Sequence, residues 1–355
     1  MNEDADETQR ADREIARARD LLGLGNAHLT ADDQLFIRVL NKADARPAPA
    51  ALRRPPVARR LPLVAAVVVL VVVAVVSLVR PSPAVAAPPG LHYSVADPAD
   101  AGAAGSASAR DELRRLAEAV MSGPAEARGN QQFVDAYGWY LAIDSDAARG
   151  SVIPISSRSW LAPDGSSLTR TAAGTPLRTD GSLDPDPIGE PSEPVGEQVN
   201  PPGSFLDPTL AALPREPDAL RADRLGQLPG LCDSDEVTAT WCLLTDLVSL
   251  ASLHVLPADL AAAYWTVLAE DPNVVLLGNA TDRLGRDVVA VAGPPFDEGY
   301  GPSVTVILLE ATTGRMVGSE TVTLESDLLG ITEPTVTGFT AIRTARFVQA
   351  AGDTE

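Results

Sequence analysis

The sequence has few of the side chains that most often carry catalytic chemistry. It contains one lysine, Lys42, against 27 arginines, together with three histidines and two cysteines. The G-x-S-x-G, H-E-x-x-H, P-loop and G-x-G-x-x-G motifs are absent, which excludes the commonest hydrolase, zinc-protease and nucleotide-binding signatures. Because Lys42 lies near the N-terminus, the later chain cannot use a Ser-Lys pair. We therefore expect a protein that is not an enzyme and needs no cofactor.

The remaining histidines and carboxylates do not single out a site. His254 with Asp246 or Asp259 could form a base and its orienting carboxylate, but a single histidine beside a helix start is more often a capping or packing residue. The motif DPDP at 184–187 lacks the spacing of an EF-hand loop. The other acids are too numerous to identify a glycosidase pair. The sequence predicts no catalytic residue and no metal ligand.

Charge is missing from one long stretch. Residues 61–79, LPLVAAVVVLVVVAVVSLV, include ten Val, four Leu and three Ala and no charged side chain. As a helix, at about 1.5 Å per residue, the stretch would cover about 28 Å, close to the hydrocarbon thickness of a bilayer. A strand of that length would be far longer than usual. We predict one transmembrane helix at 61–79.

The flanks of this stretch predict its orientation. Five arginines precede it between positions 46 and 60, whereas Arg80 alone follows it until Arg110. The positive-inside bias places the N-terminus in the cytoplasm and the C-terminal part outside the cell membrane. AVAA at 84–87 resembles a signal cleavage site, but the 60-residue lead is far longer than that of a signal peptide. An uncleaved signal-anchor is favoured.

Acidic residues dominate the part of the chain after position 60. Residues 1–60 carry 11 basic and 10 acidic side chains, so their +1 subtracted from the whole-chain −20 leaves −21 for residues 61–355. Such a charge disfavours nucleic acid as a partner. The partners that remain are the membrane itself, an apolar or envelope-derived ligand, and a cytoplasmic protein.

The two cysteines, Cys232 and Cys242, lie beyond the predicted span and have nine residues between them. In an oxidising exterior this spacing predicts a disulfide, whose short loop would contribute about 3 kcal/mol in the chain-entropy model. A zinc site would need more ligands. Two free buried thiols are the alternative.

The pattern divides the chain into four parts. A cytoplasmic leader and Arg-rich linker occupy 1–60, and the leader is either a docking element or a lightly structured segment. The span at 61–79 is followed by a flexible Pro, Ala and Gly tether at 80–106. The exported domain occupies 107–355 and opens with a helix predicted at 107–121.

The first half of the exported domain alternates as strands do. In QQFVDAYGWYLAIDS, Phe133, Tyr137 and Trp139 fall on one side at period two, and SVIPISSRSWLAPDGSSLTRTA supplies two strands around a turn at 163–165. Residues 179–204 hold six Pro and six acidic residues with no basic one, and we expect a mobile loop there.

The second half is helical and then returns to strands. PREPDALRADRLGQ, TATWCLLTDLVSLAS and PADLAAAYWTVLAEDP have helical spacing, and four apolar stretches from position 273 onward read as hairpin strands. The predicted fold class is α+β, an antiparallel sheet with helices packed on one face.

These residues carry a resemblance. GWYLA, SWLAPDGS, LPREPDALRA, AAAYWTVLAEDPNVVLLGNATDRLGR and LLEATTGRMVGSETV, in this layout, resemble a group of actinobacterial single-pass membrane proteins of unassigned function. The element order of the exported part is also similar to that of lipoprotein-carrier-like domains, which implies a curved sheet and a hydrophobic cavity beneath the helices. The topology is shared with anti-sigma factors, although their zinc-type cytoplasmic module needs a His and Cys cluster that the leader, with His28 alone, lacks.

Three functions remain open at this stage. The first is a membrane-anchored extracytoplasmic sensor or ligand-binding protein, the second an anti-sigma-like scaffold that docks a cytoplasmic regulator, and the third an extracytoplasmic hydrolase. If the sheet curves around the helices, aromatic side chains from both should line the ligand pocket. The candidates are Trp160, Trp241, Tyr264 and Trp265. Trp265 is expected to face the pocket, whereas Trp139 is expected to belong to the core.

Overall fold

The computed structural model describes residues 90–103, 107–123, 129–144, 149–179, 181–185, 195–204, 210–227, 232 and 234–354. The predicted leader and the predicted span at 61–79 lie outside these residues, so both stay predictions. Among the described residues, one helix, Glu236–Leu253, has the length and apolar composition of a membrane span, and half of it is buried within the fold. Core helices commonly share these properties.

Four α-helices are present in the described part of the chain. They are α1 (Arg110–Ser122), α2 (Pro217–Leu225), α3 (Glu236–Leu253) and α4 (Ala258–Glu270). Helix α3 begins where the Asp235 side chain accepts hydrogen bonds from the backbone N–H of Thr238 at 2.9 Å and from its hydroxyl at 2.8 Å, a typical N-cap. The three sequence segments predicted to be helical after position 213 all form helices.

The strands form one antiparallel sheet. They are β1 (Gln131–Asp144), β2 (Arg149–Leu161), β3 (Ser167–Ala173), β4 (Val195–Asn200), β5 (Val275–Thr281), β6 (Asp287–Ala292), β7 (Phe296–Asp297), β8 (Pro302–Glu310), β9 (Met316–Thr323) and β10 (Thr335–Val348). The order is β4-β3-β2-β1-β10-β9-β8-β6-β5, and β7 pairs with β8. The last strand, β10, therefore joins the two halves of the chain by pairing with β1 on one side and β9 on the other. The predicted α+β class with an antiparallel sheet is confirmed.

The helices cover one side of the sheet, which we call the helix side. Val289 and Val291 of β6 and Ile307 and Leu309 of β8 are buried there against α1, α3 and α4. The alternate residues of the same strands point to the opposite, outer side, because successive side chains of a strand point to opposite faces. On the outer side they are covered by the chain around Tyr93 and Ala101, which includes a short 3-10 helix at Pro98–Asp100.

Four β-bulges bend the strands in the described part of the chain. The residues without a pairing partner are Leu277, Val317, Thr337 and Arg343. Bulges increase twist and free backbone groups. The Arg286 guanidinium, which precedes β6, donates to the carbonyls of Val317 at 3.0 Å and Ile342 at 2.7 Å, so one side chain ties the β5-β6 hairpin to β9 and β10.

Two predicted boundaries differ from the structure. Helix α1 begins at Arg110, three residues later than predicted, because Ser108 pairs with Val275 and the Ala107 carbonyl accepts from Leu276 at 2.8 Å. Part of the predicted tether is folded onto the domain, since the Val95 amide donates to the Leu277 carbonyl at 2.9 Å. Both segments complete the edge of β5.

The predicted mobile loop at 179–204 also contains a strand. Residues Val195–Asn200 form β4, which pairs with β3 at the edge of the sheet. The Pro and acidic residues that suggested a loop mostly precede this strand. An edge strand tolerates polar and charged residues because one of its sides is not paired within the sheet.

Candidate functional site

A cavity of about 400 Å³ lies where β1 begins and β2 and β10 end, which we call the apolar cavity. Five segments contribute to its wall: 129–132, 161–165, 210–215, 254–257 and Phe347. Most of the lining side chains are apolar or small, and they are Leu161, Ala162, Pro163, Leu210, Ala211, Val255, Pro257 and Phe347. The volume falls in the range of about 300–1,000 Å³ that is typical of small-molecule sites.

Polar side chains in this wall hold its parts together. The Gln132 Oε1 atom accepts from the Val255 amide at 2.9 Å, which fixes the α3-α4 connection against β1. The Arg215 guanidinium donates to the Leu213 carbonyl at 2.6 Å, and its Nε lies 2.9 Å from Asp259 Oδ2. Arg215, the arginine among the described residues of the wall, is thus paired with a carboxylate. The wall favours a ligand without charge.

His254 also lines the apolar cavity, but the structure does not support it as a catalytic base. It ends helix α3, where its amide donates to the Leu250 carbonyl at 2.8 Å. Its two candidate partners are engaged with arginines, since Asp259 pairs with Arg215 and Asp246 lies 2.5 Å from the Arg224 guanidinium. His254 is the C-cap residue of α3, and the capping bond is made by its backbone amide.

The acid Asp246 instead belongs to a buried cluster that joins three helices. Arg224 of α2, with a side chain 9% exposed, donates two hydrogen bonds to it, and the Tyr264 hydroxyl of α4 donates a third at 2.6 Å. Burial raises the pKa of Tyr264 well above its ordinary value, and the charge of Asp246 raises it further. This is a structural arrangement, because a hydroxyl with such a pKa stays neutral.

The four aromatic residues predicted to line one pocket lie in three separate places. Tyr264 and Trp265 are fully buried in the helix-side core, and Trp265 Nε1 donates to the Gly314 carbonyl at 3.0 Å. Trp160 is buried on the outer side, stacked on Phe133 with ring centroids 5.0 Å apart. Trp241 stacks on Phe296 at 4.3 Å.

The physical reason for this correction is strand alternation. The side chains of Trp139 on β1 and Trp160 on β2 both point to the outer side of the sheet, whereas the helices pack on the helix side. Trp265 was expected to point away from the buried face of α4 and into a pocket. Most faces of α4 are buried in the helix-side core, however, so Trp265 is enclosed as well. None of the cavities described here is lined by the four predicted residues.

The predicted cysteine pair forms a disulfide. Cys232 and Cys242 are joined, and Cys242 lies in the second turn of α3. The bond therefore anchors the segment before α3 to the helix itself. Among the described residues, no cluster of three or more His, Cys, Asp or Glu side chains has the arrangement of a metal site.

A buried carboxylate lies on the outer side, away from the apolar cavity. Glu320 of β9 is 1% exposed, its Oε1 lies 2.6 Å from the Arg283 guanidinium, and its Oε2 accepts from the Tyr93 hydroxyl at 3.0 Å. Arg283 also lies 4.4 Å from the centre of the Phe339 ring. Burial raises the pKa of Glu320, and the charge of Arg283 opposes the increase. The cluster fixes the segment before α1 onto the sheet.

Sequence reasoning did not identify the lining of the apolar cavity. Its residues come from five segments that are far apart in the sequence, and each segment alone reads as the end of a strand or the start of a helix. The sequence analysis named His254 as a possible base and residues 163–165 as a turn, and it placed none of them in a pocket.

Comparisons with known proteins give no family. No family model matches the chain, and no curated protein matches it. Among solved structures, MucB in complex with MucA(peri) aligns at 15% identity with a TM-score of 0.25, covering 69% of this chain and 58% of that one. A MucA/MucB complex from Pseudomonas aeruginosa gives 14% and 0.24, covering 68% and 59%. A Vibrio parahaemolyticus domain described as an outer membrane lipoprotein-sorting protein gives 12% and 0.17, covering 69% and 93%.

Proposed function

We propose that this protein is a membrane-anchored, non-enzymatic ligand-binding protein that holds a small uncharged apolar molecule in the apolar cavity. The observation that carries the proposal is the cavity itself, with its volume of about 400 Å³ and its mostly apolar wall. Binding would be driven by removal of apolar surface from water. An anionic ligand is disfavoured, because the positive charge of Arg215 is already paired with Asp259.

The proposal includes a sensing role. The predicted span at 61–79 would hold the domain at the outer surface of the cell membrane, and the leader would report to a cytoplasmic partner. The α3-α4 connection is the part of the wall best placed to respond to a ligand, since Val255 and Pro257 line the cavity and α3 and α4 are core helices.

The test is photo-crosslinking of the full-length protein with an uncharged alkyl diazirine, followed by mass spectrometry of the labelled peptides. We expect adducts in the segments around Gln132, Ala162 and Val255. Ala162→Phe should fill the cavity and reduce these adducts by about tenfold, a change of about 1.4 kcal/mol in binding. Ala172→Phe, an exposed position on β3, is the matched control and should label like the wild type.

Two outcomes would refute the ligand-binding proposal. One is an absence of adducts at these segments in the wild type, and the other is equal labelling of Ala162→Phe and the wild type. In either case a scaffold that recognises a protein partner becomes the better explanation.

The membrane arrangement has its own test. A reporter active only outside the cytoplasm should be active when fused after Glu355 and inactive when fused before Arg46. The reverse pattern would overturn the orientation without touching the ligand-binding proposal.

A further inference from the structure

A second cavity, of about 220 Å³, lies on the helix side of the sheet between α3 and the strands β1, β9 and β10. We call it the hydroxyl cavity. Six hydroxyl side chains contribute to its lining, and they are Tyr140, Tyr300, Ser319, Thr321, Thr337 and Thr340. None of the described residues that line it is Asp, Glu, Lys, Arg or His.

Several of these hydroxyls have no protein partner. Thr337 shares a hydrogen bond with Thr323 at 2.9 Å, and Tyr300 is bonded to Glu298 and Ser303. In the part of the chain that the structure describes, by contrast, the hydroxyls of Ser319, Thr321 and Thr340 make no hydrogen bond. Ser319 and Thr340 are only 6% and 7% exposed, yet none of the three hydroxyl oxygens is both fully buried and unpaired, so each remains accessible at the surface of the cavity. A hydroxyl in this position can both donate to and accept from a ligand.

The chemistry of the wall selects the ligand. An ion would lose its hydration with no opposite charge to replace it, which costs several kcal/mol. An apolar ligand would leave the hydroxyls unpaired, at about 1–3 kcal/mol each. A hydroxyl both donates and accepts, so its natural counterpart is another group that does both. The exposed ring of Tyr140, 42% accessible, offers a flat apolar face at the same site.

We propose that the hydroxyl cavity binds a neutral polyhydroxylated ligand, with Ser319, Thr321 and Thr340 as its hydrogen-bonding residues and one sugar ring as the size that fits. The site is separate from the apolar cavity, with which it shares no lining residue. It does not depend on the function proposed above.

The experiment uses the full-length protein in a detergent without a sugar head group. Saturation-transfer NMR is recorded with N-acetylglucosamine as the neutral probe and with glucosamine and glucuronate as cationic and anionic probes. We expect transfer to N-acetylglucosamine and little to the charged sugars. Thr321→Val combined with Thr340→Val should weaken N-acetylglucosamine binding by at least about tenfold, because each change removes one hydroxyl and keeps the β-branched shape.

Thr169→Val is the matched control, since Thr169 of β3 makes its hydrogen bond with Ser159 and does not line the cavity. It should bind N-acetylglucosamine as the wild type does, and thermal unfolding of all variants checks that they are folded. The proposal is overturned if the wild type shows no transfer to N-acetylglucosamine, if the double variant binds as well as the wild type, or if the charged sugars bind equally well. Alkyl diazirine labelling of the apolar cavity should be unchanged in the double variant, which separates the two proposals.

Discussion

The two halves of the sheet are buried to very different degrees. In β6, five of six residues are buried, whereas in β3 only one of seven is. Helices cover the helix side of β6 and the chain around Tyr93 and Ala101 covers its outer side. The amino-acid composition of the two strands reflects this difference, since β6 has the sequence DVVAVA and β3 has the sequence SLTRTAA. A strand covered on both faces can be apolar throughout, whereas a strand whose faces are partly open to solvent must remain compatible with water.

The largest expected effect is in the covered half. Trp265→Ala should lower the free energy of unfolding by about 3–5 kcal/mol, because the side chain is fully buried and its Nε1 bonds to Gly314. Ile155→Ala in the half-buried β2 should cost clearly less. Urea unfolding of both variants measures the difference. Equal losses would mean that burial of the two halves does not translate into unequal stability.

The disulfide should contribute the next largest effect. Replacing both Cys232 and Cys242 with Ala should lower the free energy of unfolding by about 3 kcal/mol, because the loop they close gains conformational freedom in the unfolded chain. Denaturant unfolding in the absence of reductant gives the value. Dithiothreitol should destabilise the wild type and leave the double variant unaffected, and a response of the double variant would contradict this assignment.

Native-state hydrogen exchange compares the halves directly. We expect amides of β8 to exchange only through openings close to global unfolding, and amides shared by β3 and β4 to exchange through local openings at least about 2 kcal/mol less costly. Residue-resolved exchange by NMR or mass spectrometry would show this. If β3 and β8 exchange with the same free energy, the sheet opens as one cooperative unit.

The smallest expected effect is a pH dependence that arises on the outer side. Burial raises the pKa of Glu320 in the folded protein above its unfolded value of about 4.3. The folded state then binds the proton more tightly, so the wild type loses stability as the pH rises from the unfolded pKa through the raised folded pKa. Each unit of difference corresponds to about 1.4 kcal/mol.

Glu320→Gln should remove this dependence, and Glu325→Gln, at an exposed position, should retain it. Unfolding free energies measured from acid to neutral pH provide the comparison. A stability profile of Glu320→Gln parallel to that of the wild type would show that the Arg283 pairing cancels the effect of burial.

The sequence allowed most elements to be predicted, because their periodicities are long and distinct. Helix α3 and strand β1 are examples, with apolar residues at helical and at alternate spacing. Strand β4 was missed because six residues beside a Pro-rich segment give too short a pattern. The side of the sheet that the helices cover could not be predicted, since alternation identifies two faces and not their neighbours. Trp265 lies on the helix side and Trp160 on the outer side, so the sheet separates two residues that were predicted to share a pocket.

Neither cavity could have been predicted. The lining of the apolar cavity depends on where five chain segments end in space, and the hydroxyl cavity depends on registers between β1, β9 and β10 that bulges at Thr337 and Arg343 shift by one residue. Bulges have no consistent sequence pattern, so the residues around Thr337 and Arg343 did not indicate them. The disulfide was predictable because only two cysteines were available to form it.

The pairing of residues 94–96 with β5 determines how the domain would respond to mechanical force. The Ser94 amide donates to the Asn279 carbonyl at 3.0 Å and the Val95 amide to the Leu277 carbonyl at 2.9 Å. Tension applied through the chain before Gly90 would reach these bonds first and would peel the segment from the outer edge of β5. The Tyr93 hydrogen bond to Glu320 would break in the same event. Glu320 would then lose the Tyr93 hydrogen bond and keep its pairing with Arg283, so separation of this segment would open part of the outer side of the sheet to solvent.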